Sequence, residues 1–210
     1  MTRPKSTTVI FVRHGKTPTT GKVLPGRTAG LHLSEEGSVQ AEIAAEIITE
    51  SFDRKVAAVY SSPLERARET AKPISKAVKR KVQIDEDLNE CDFGRWTGKS
   101  LDRLRRLDAW DMVQHSPSHF RFPGGESFLE MQTRINNAIV DLCAKHNGQT
   151  IVIVSHADVI KAALATALGM SLDSFQRITV SPASISVVSY APAPHVLCIN
   201  TTDLKEVTPS

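Results

Sequence analysis

Along the chain, short unbroken apolar runs alternate with longer stretches in which apolar residues return every three or four positions. TVIFV at 8–12 is a β-branched run without polar interruption, the pattern of a strand buried on both faces. The stretch LSEEGSVQAEIAAEIITES then takes helical spacing. Ser34 stands where an N-cap belongs, acidic residues fill the first turn, and Ala41, Ala44, Ile47 and Ile48 share one face. VAAVYSS (56–62) predicts a second strand running into SPLE, where Ser62 and Glu65 spell a capping box and Pro63 suits the first helical position. KVQID (81–85) predicts a third strand. SFLE (127–130) is another capping box, opening a helix through about Lys145 that stops near Gly148. TIVIVS (150–155) passes at once into HADVIKAALATALG, a helix ending at Gly169. ISVVSY and HVLCI predict two late strands with Pro192 and Pro194 in their connection.

Strands alternating with helices predict a three-layer α/β/α sandwich around a mainly parallel central sheet, with the PAP linkage joining an antiparallel edge strand. Segment 93–126, rich in Trp, Arg and Asp, runs into FPGGES (122–127) and fits neither period. It predicts a lid-like excursion carried by the same domain, which spans residues 1–210. The first few residues and the tail after about Asn200 read as loose ends.

Composition narrows the function classes. At 210 residues the chain suffices for one sizeable domain. A formal net charge of +3 is too small to argue for nucleic acid, and the basic stretches VKRK (78–81) and DRLRR (102–106) read as solvated helix faces. Cys91, Cys143 and Cys198 are widely spaced, which predicts neither a zinc site nor a disulfide framework. The N-terminal MTRPKSTT lacks a signal-peptide core, and no apolar run reaches bilayer length, so the expected setting is cytoplasmic without a membrane partner. The sequence leaves oligomeric state open; a homodimer is compatible with it.

Two strands end alike: TVIFV in Arg13-His14-Gly15, TIVIV in Ser155-His156. In an open parallel sheet, ligands bind beyond the carboxyl ends of the strands, which directs both histidines to one edge. VAAVY brings Ser61 to that edge, and Arg66 follows one helical turn later. Two arginines and two histidines together call for an anionic target. Phosphate fits, because guanidinium presents a permanently charged fork of donors to its oxygens. Gly15 would let the backbone approach those oxygens closely. Imidazole adds chemistry: a neutral ring can take a phosphoryl group on one nitrogen while the other donates to a carbonyl. Such a site needs no metal or other cofactor, since phosphoryl transfer is mostly positioning and charge stabilisation. A carboxyl kept protonated near neutral pH would supply the leaving alcohol's proton. LNECDFGRWTG (88–98) offers Glu90, although composition does not separate it from Asp85, Glu86, Asp87 or Asp92.

RHGKT (13–17), SSPLERARETA (61–71), LNECDFGRWTG (88–98), FPGGES (122–127) and VIVSHADVIKAAL (152–164) together resemble the histidine phosphatase superfamily, which includes the phosphoglycerate mutase-like phosphatases. The motifs run in family order. The resemblance implies that His14 is the phosphorylated nucleophile and Glu90 the general acid and then base. It also implies that Arg13, Arg66 and His156 line the phosphate pocket, with Gly15, Thr20, Gly26 and Arg27 contacting substrate, a small phosphorylated metabolite. Three departures stand out. Thr20 occupies a position where the family often has asparagine, GRTAGLHLSEEG is a residue longer and lacks an aspartate, and Lys16 replaces an acidic residue, adding charge near the mouth. Metal-independent phosphomonoester hydrolysis is therefore expected, with mutase-type transfer, a non-catalytic phosphate-binding module and a metal hydrolase as rivals. The five other histidines, His32, His115, His119, His146 and His195, read as surface or loop residues, and Phe93 and Trp96 as lid packing.

Overall fold

The computed structural model describes residues 5–52 and 55–204. Six strands form one sheet: β1 (Thr7–Arg13), β2 (Val56–Ser61), β3 (Val82–Ile84), β4 (Thr150–Ser155), β5 (Ile185–Tyr190) and β6 (Pro194–Thr201), in the order β3-β2-β4-β1-β5-β6. The first four of that order run parallel, and β5 and β6 turn antiparallel at one edge. The β-branched runs lie on the inner strands because both faces are covered there. Ile10, Val12, Val59, Val152 and Val154 pack against helices α1 (Glu35–Phe52) and α2 (Glu65–Ala77). Their alternates Val9, Phe11, Ala58, Ile151 and Ile153 meet α5 (Phe128–Lys145) and α6 (Ala157–Ala167) on the other face.

Local signals held where nothing distant competed for them. Ser127 and Glu130 form the reciprocal capping box at α5, at 3.1 and 2.9 Å. The Ser34 hydroxyl accepts from the Gly37 amide at the head of α1. Ser62 does not cap α2 as expected. The helix begins at Glu65 without a side-chain cap, and the Ser62 hydroxyl lies 2.7 Å from His156 Nε2. A tertiary partner has taken the oxygen that the local pattern assigned to the helix. Pro194 belongs to β6 rather than to the connection, and His195 follows it in that strand. The expected loose tail is also shorter: β6 reaches Thr201 and Leu204 is buried, while residues 1–4 and 205–210 lie outside the described residues.

Segment 93–126 carries two short helices, α3 (Leu101–Leu104) and α4 (Asp108–His115), between irregular turns. Its aromatic residues anchor it. Phe93, Trp96, Phe120 and Phe122 are buried with Phe128 in edge-to-face and tilted contacts at centroid distances of 4.8–5.5 Å. Contacts of this kind add about 0.5–1.5 kcal/mol each beyond area burial, enough together to fix the excursion over the sheet edge. Phe93 and Trp96 thus serve as packing, as their composition suggested.

Candidate active site

Strand order explains why the two histidines meet. β4 lies between β1 and β2, with Arg13 opposite Ser155 in register, so the residues that follow each strand emerge side by side. His14 and His156 have ring centroids 5.2 Å apart. Arg66, on the first turn of α2, is 0 % exposed and reaches both rings: Nε donates to His14 Nε2 at 3.3 Å and Nη2 to His156 Nδ1 at 3.3 Å. Nη2 also donates to the Gly26 carbonyl at 2.8 Å. Arg13 is held by a 2.7 Å bond from Nη1 to the Val180 carbonyl.

The partners settle both tautomers, because a carbonyl only accepts and a guanidinium only donates. His14 Nδ1 donates to its neighbour's carbonyl, Gly15 O, at 2.7 Å, leaving a lone pair on Nε2. His156 accepts at Nδ1 and donates through Nε2 to Ser62. Burial holds both imidazoles well below their ordinary pKa, and the Arg66 charge adds to the effect in each, so both rings are neutral.

Glu90 completes the cluster. Its Oε1 accepts from the Cys91 amide at 3.0 Å and its Oε2 lies 3.8 Å from His156 Nδ1. Burial, and next the negative charge of Asp158, push its carboxyl up to about 7 against the pull of Arg66. At neutral pH a substantial fraction of this carboxyl is therefore protonated.

Two guanidinium donors are left over. Arg13 Nε and Arg66 Nη1 are buried and have no hydrogen-bond partner. An unsatisfied buried donor costs about 1–3 kcal/mol, more when charged. Two such charged donors leave the site with hydrogen-bonding capacity that its own side chains do not use.

The remaining predicted residues divide. Thr20 lines the cavity above His14, with its hydroxyl accepting from the Thr17 amide at 2.9 Å. Gly15, Gly26 and Arg27 were expected to touch substrate, but their visible partners belong to the protein. The Gly15 amide donates to Thr70 Oγ1, and a Cβ at Gly15 would fall 2.4 Å from the Gly37 carbonyl, so its close approach is to α1. Gly26 holds Arg66. Arg27 donates to the Glu90 carbonyl at 2.8 Å and to Glu126 at 3.2 Å. Lys16 is paired with Glu36 and adds no free charge at the mouth.

Sequence reasoning missed the support beneath Glu90. Glu126 takes Arg134 through both oxygens at 3.0 Å and also accepts from the Asp92 amide, while Arg134 donates to the carbonyls of Asp87 and Asn89. Glu126 stands within FPGGES, so the motif flagged the place but not the role. Ser62 and Asp158 were hidden in the same way, inside quoted motifs and given to other duties or none.

Fold and site together define an α/β protein in which two arginines and two neutral histidines meet at the carboxyl ends of the central strands. Comparison with known proteins gives that class its family. Residues 9–200 match the histidine phosphatase superfamily (branch 1), and the chain belongs to it. Phosphoserine phosphatase 1 of Hydrogenobacter thermophilus is 31 % identical over 186 residues, covering 86 % of this chain and 85 % of that protein. The solved phosphoserine phosphatase mutant of Entamoeba histolytica in complex with phosphoserine is 28 % identical with a TM-score of 0.82, covering 93 % and 98 % of the two chains. A mycobacterial glucosyl-3-phosphoglycerate phosphatase shares the fold, with a TM-score of 0.84, 23 % identity and coverage of 94 % and 100 %. Among the described residues no helix is long and apolar enough to cross a membrane, and no cluster of three potential metal ligands occurs.

Proposed function

We propose that this protein is a metal-independent phosphomonoesterase acting on small phosphorylated metabolites through a phosphohistidine at His14. The observation that carries the reading is the pair of orphaned buried donors, Arg13 Nε and Arg66 Nη1, flanking an imidazole whose Nε2 lone pair is free of a proton. A phosphoryl group set against Nε2 supplies oxygens to both donors and displaces the weak 3.3 Å contact from Arg66 Nε. His14 then attacks phosphorus in line with the departing alkoxide, the P–O bond breaks, and Glu90 delivers its proton to the alcohol. The imidazolium-like phosphohistidine keeps its Nδ1 proton on Gly15 O. Glu90, now a carboxylate, takes a proton from the incoming water, and the water oxygen replaces His14 on phosphorus. The Arg13 and Arg66 charges stabilise the non-bridging oxygens through both steps, the office a metal fills elsewhere. The names of its phosphatase relatives support hydrolysis of small esters.

The test is a trapping experiment. Rapid quench into alkaline detergent with a 32P-labelled ester is expected to give, in the parent, an alkali-stable phosphoprotein that loses its label on acid treatment, and none in His14→Ala, with turnover unaffected by chelator. Label on serine or aspartate, or activity that a chelator abolishes and added metal restores, would refute it. Rapid exchange between phosphoglycerate isomers with little free phosphate would move the protein to the mutases.

A further inference from the structure

Beyond His14 and Glu90 the site opens into a cavity of about 470 Å³. Val23, Leu24, Leu101, Trp110, Val113 and Ile178 give its lining an apolar share, interleaved with the uncharged polar side chains of Thr17, Thr20, Gln114, Gln176 and Thr179. Trp110 is not a loose flap, since its ring lies nearly parallel to buried Trp96, 17° off and 6.3 Å away.

The cavity also carries charged groups, each with a partner of opposite sign. Lys161 pairs with Asp158 at 3.4 Å and donates to Gln176 at 2.9 Å. Arg105 pairs with Asp102 at 3.3 Å. Arg27, just outside, is taken by Glu126. Among the described residues, Arg13 Nε and Arg66 Nη1 are the buried guanidinium nitrogens without a partner, and the phosphatase reading assigns both to the phosphoryl group. Asp158 itself sets a carboxylate on the wall. A second anion on the substrate would have to draw Lys161 from Asp158 or Arg105 from Asp102 to find a cation, whereas an uncharged body finds apolar side chains to cover it without breaking a pair.

We infer that the preferred substrate is the phosphomonoester of an uncharged alcohol with an apolar or aromatic body, and not a phosphorylated acid such as phosphoserine or phosphoglycerate. This rests on the phosphatase reading above. Arg105 is the cation held least firmly, because its partner Asp102 is 80 % exposed, and its substitution is part of the test.

The experiment compares phosphate release by the full chain from 2-phenylethyl phosphate, O-phosphoserine and 3-phosphoglycerate, all esters of unactivated alcohols. The expected kcat/KM for the phenylethyl ester exceeds that for either phospho-acid by about tenfold or more, the worth of burying part of an aromatic body. Trp110→Ala is expected to cut that ratio by about tenfold. Equal or better turnover of a phospho-acid by the parent overturns the inference without any variant. A selective fall in phosphoserine turnover in Arg105→Gln also overturns it, by showing that guanidinium free to bind the acid. Phosphoenzyme formation from p-nitrophenyl phosphate separates the two levels. If it forms but the alcohols are not distinguished, only the present inference fails; if no ester forms it, the chemistry beneath fails as well.

Discussion

Replacing Glu90 by Gln is expected to stabilise the protein at alkaline pH while disabling it. The Glu90 side chain is nearly buried, and burial first, then Asp158, lift its pKa from 4.5 to about 7 while Arg66, the Cys91 amide and Arg13 oppose them. The folded state therefore prefers the protonated acid. A group whose folded pKa is the higher one contributes its stability in full below the unfolded value and loses it as pH rises through the folded value. At about 1.4 kcal/mol per pH unit, the interval from 4.5 to about 7 corresponds to about 3 kcal/mol lost between about pH 4.5 and pH 8.5. Glutamine keeps an acceptor for the Cys91 amide, which now lies 3.0 Å from Oε1, and cannot ionise. Urea unfolding followed by tryptophan fluorescence at both ends of that range should show the variant gaining about 3 kcal/mol on the parent as pH rises. Its turnover of an alkyl phosphate should fall by on the order of 10²–10⁴, and that of an activated aryl ester by much less. In the parent, kcat/KM should decline above about pH 7 as the acid is titrated away. A stability difference that does not change with pH would refute the account of why this carboxyl holds its proton.

Arg66→Met is expected to reduce kcat by on the order of 10²–10³, the usual effect of losing one transition-state donor, and to abolish the rise in Tm that inorganic phosphate gives the parent. Undiminished stabilisation by phosphate would contradict the role of Arg66 Nη1. Gly37→Ala brings a Cβ to 2.0 Å from the Lys16 carbonyl, backbone that cannot swing aside; a destabilisation of about 1–3 kcal/mol or more is expected in urea, and an unchanged midpoint would sink the argument. Glu126→Ala strips Arg134 and Arg27 of their shared partner. It should lower stability by about 2 kcal/mol and shift the pH profile of kcat/KM, with partial rescue by Glu126→Gln; a stability loss with an unmoved profile would confine Glu126 to a structural role.

The sequence by itself determined the elements and the chemistry available to them. Apolar periodicity records local burial, so TVIFV, VAAVY and TIVIV announced themselves as inner strands, and Ser127 with Glu130 announced the start of α5. The same runs ended in Arg13-His14 and Ser155-His156, which sufficed to suggest phosphate. Only the tertiary structure decided who would partner whom. Ser62 looked like a cap because a cap is judged from four neighbouring residues, yet its hydroxyl went to a histidine ninety-four positions away. Arg27 was expected to contact substrate, and the fold adds partners that no spacing announced, Glu126 and the Glu90 carbonyl. The lid resisted both periods because its order comes from aromatic packing across the sheet edge, with no single helix or strand face to record it. Hydrogen bonds and ion pairs between distant segments are chosen by strand order and by competition within the packed interior, and neither leaves a spacing in the chain. That is why the charged residues could be counted from the sequence, while the two donors left without a partner could be found only in the fold.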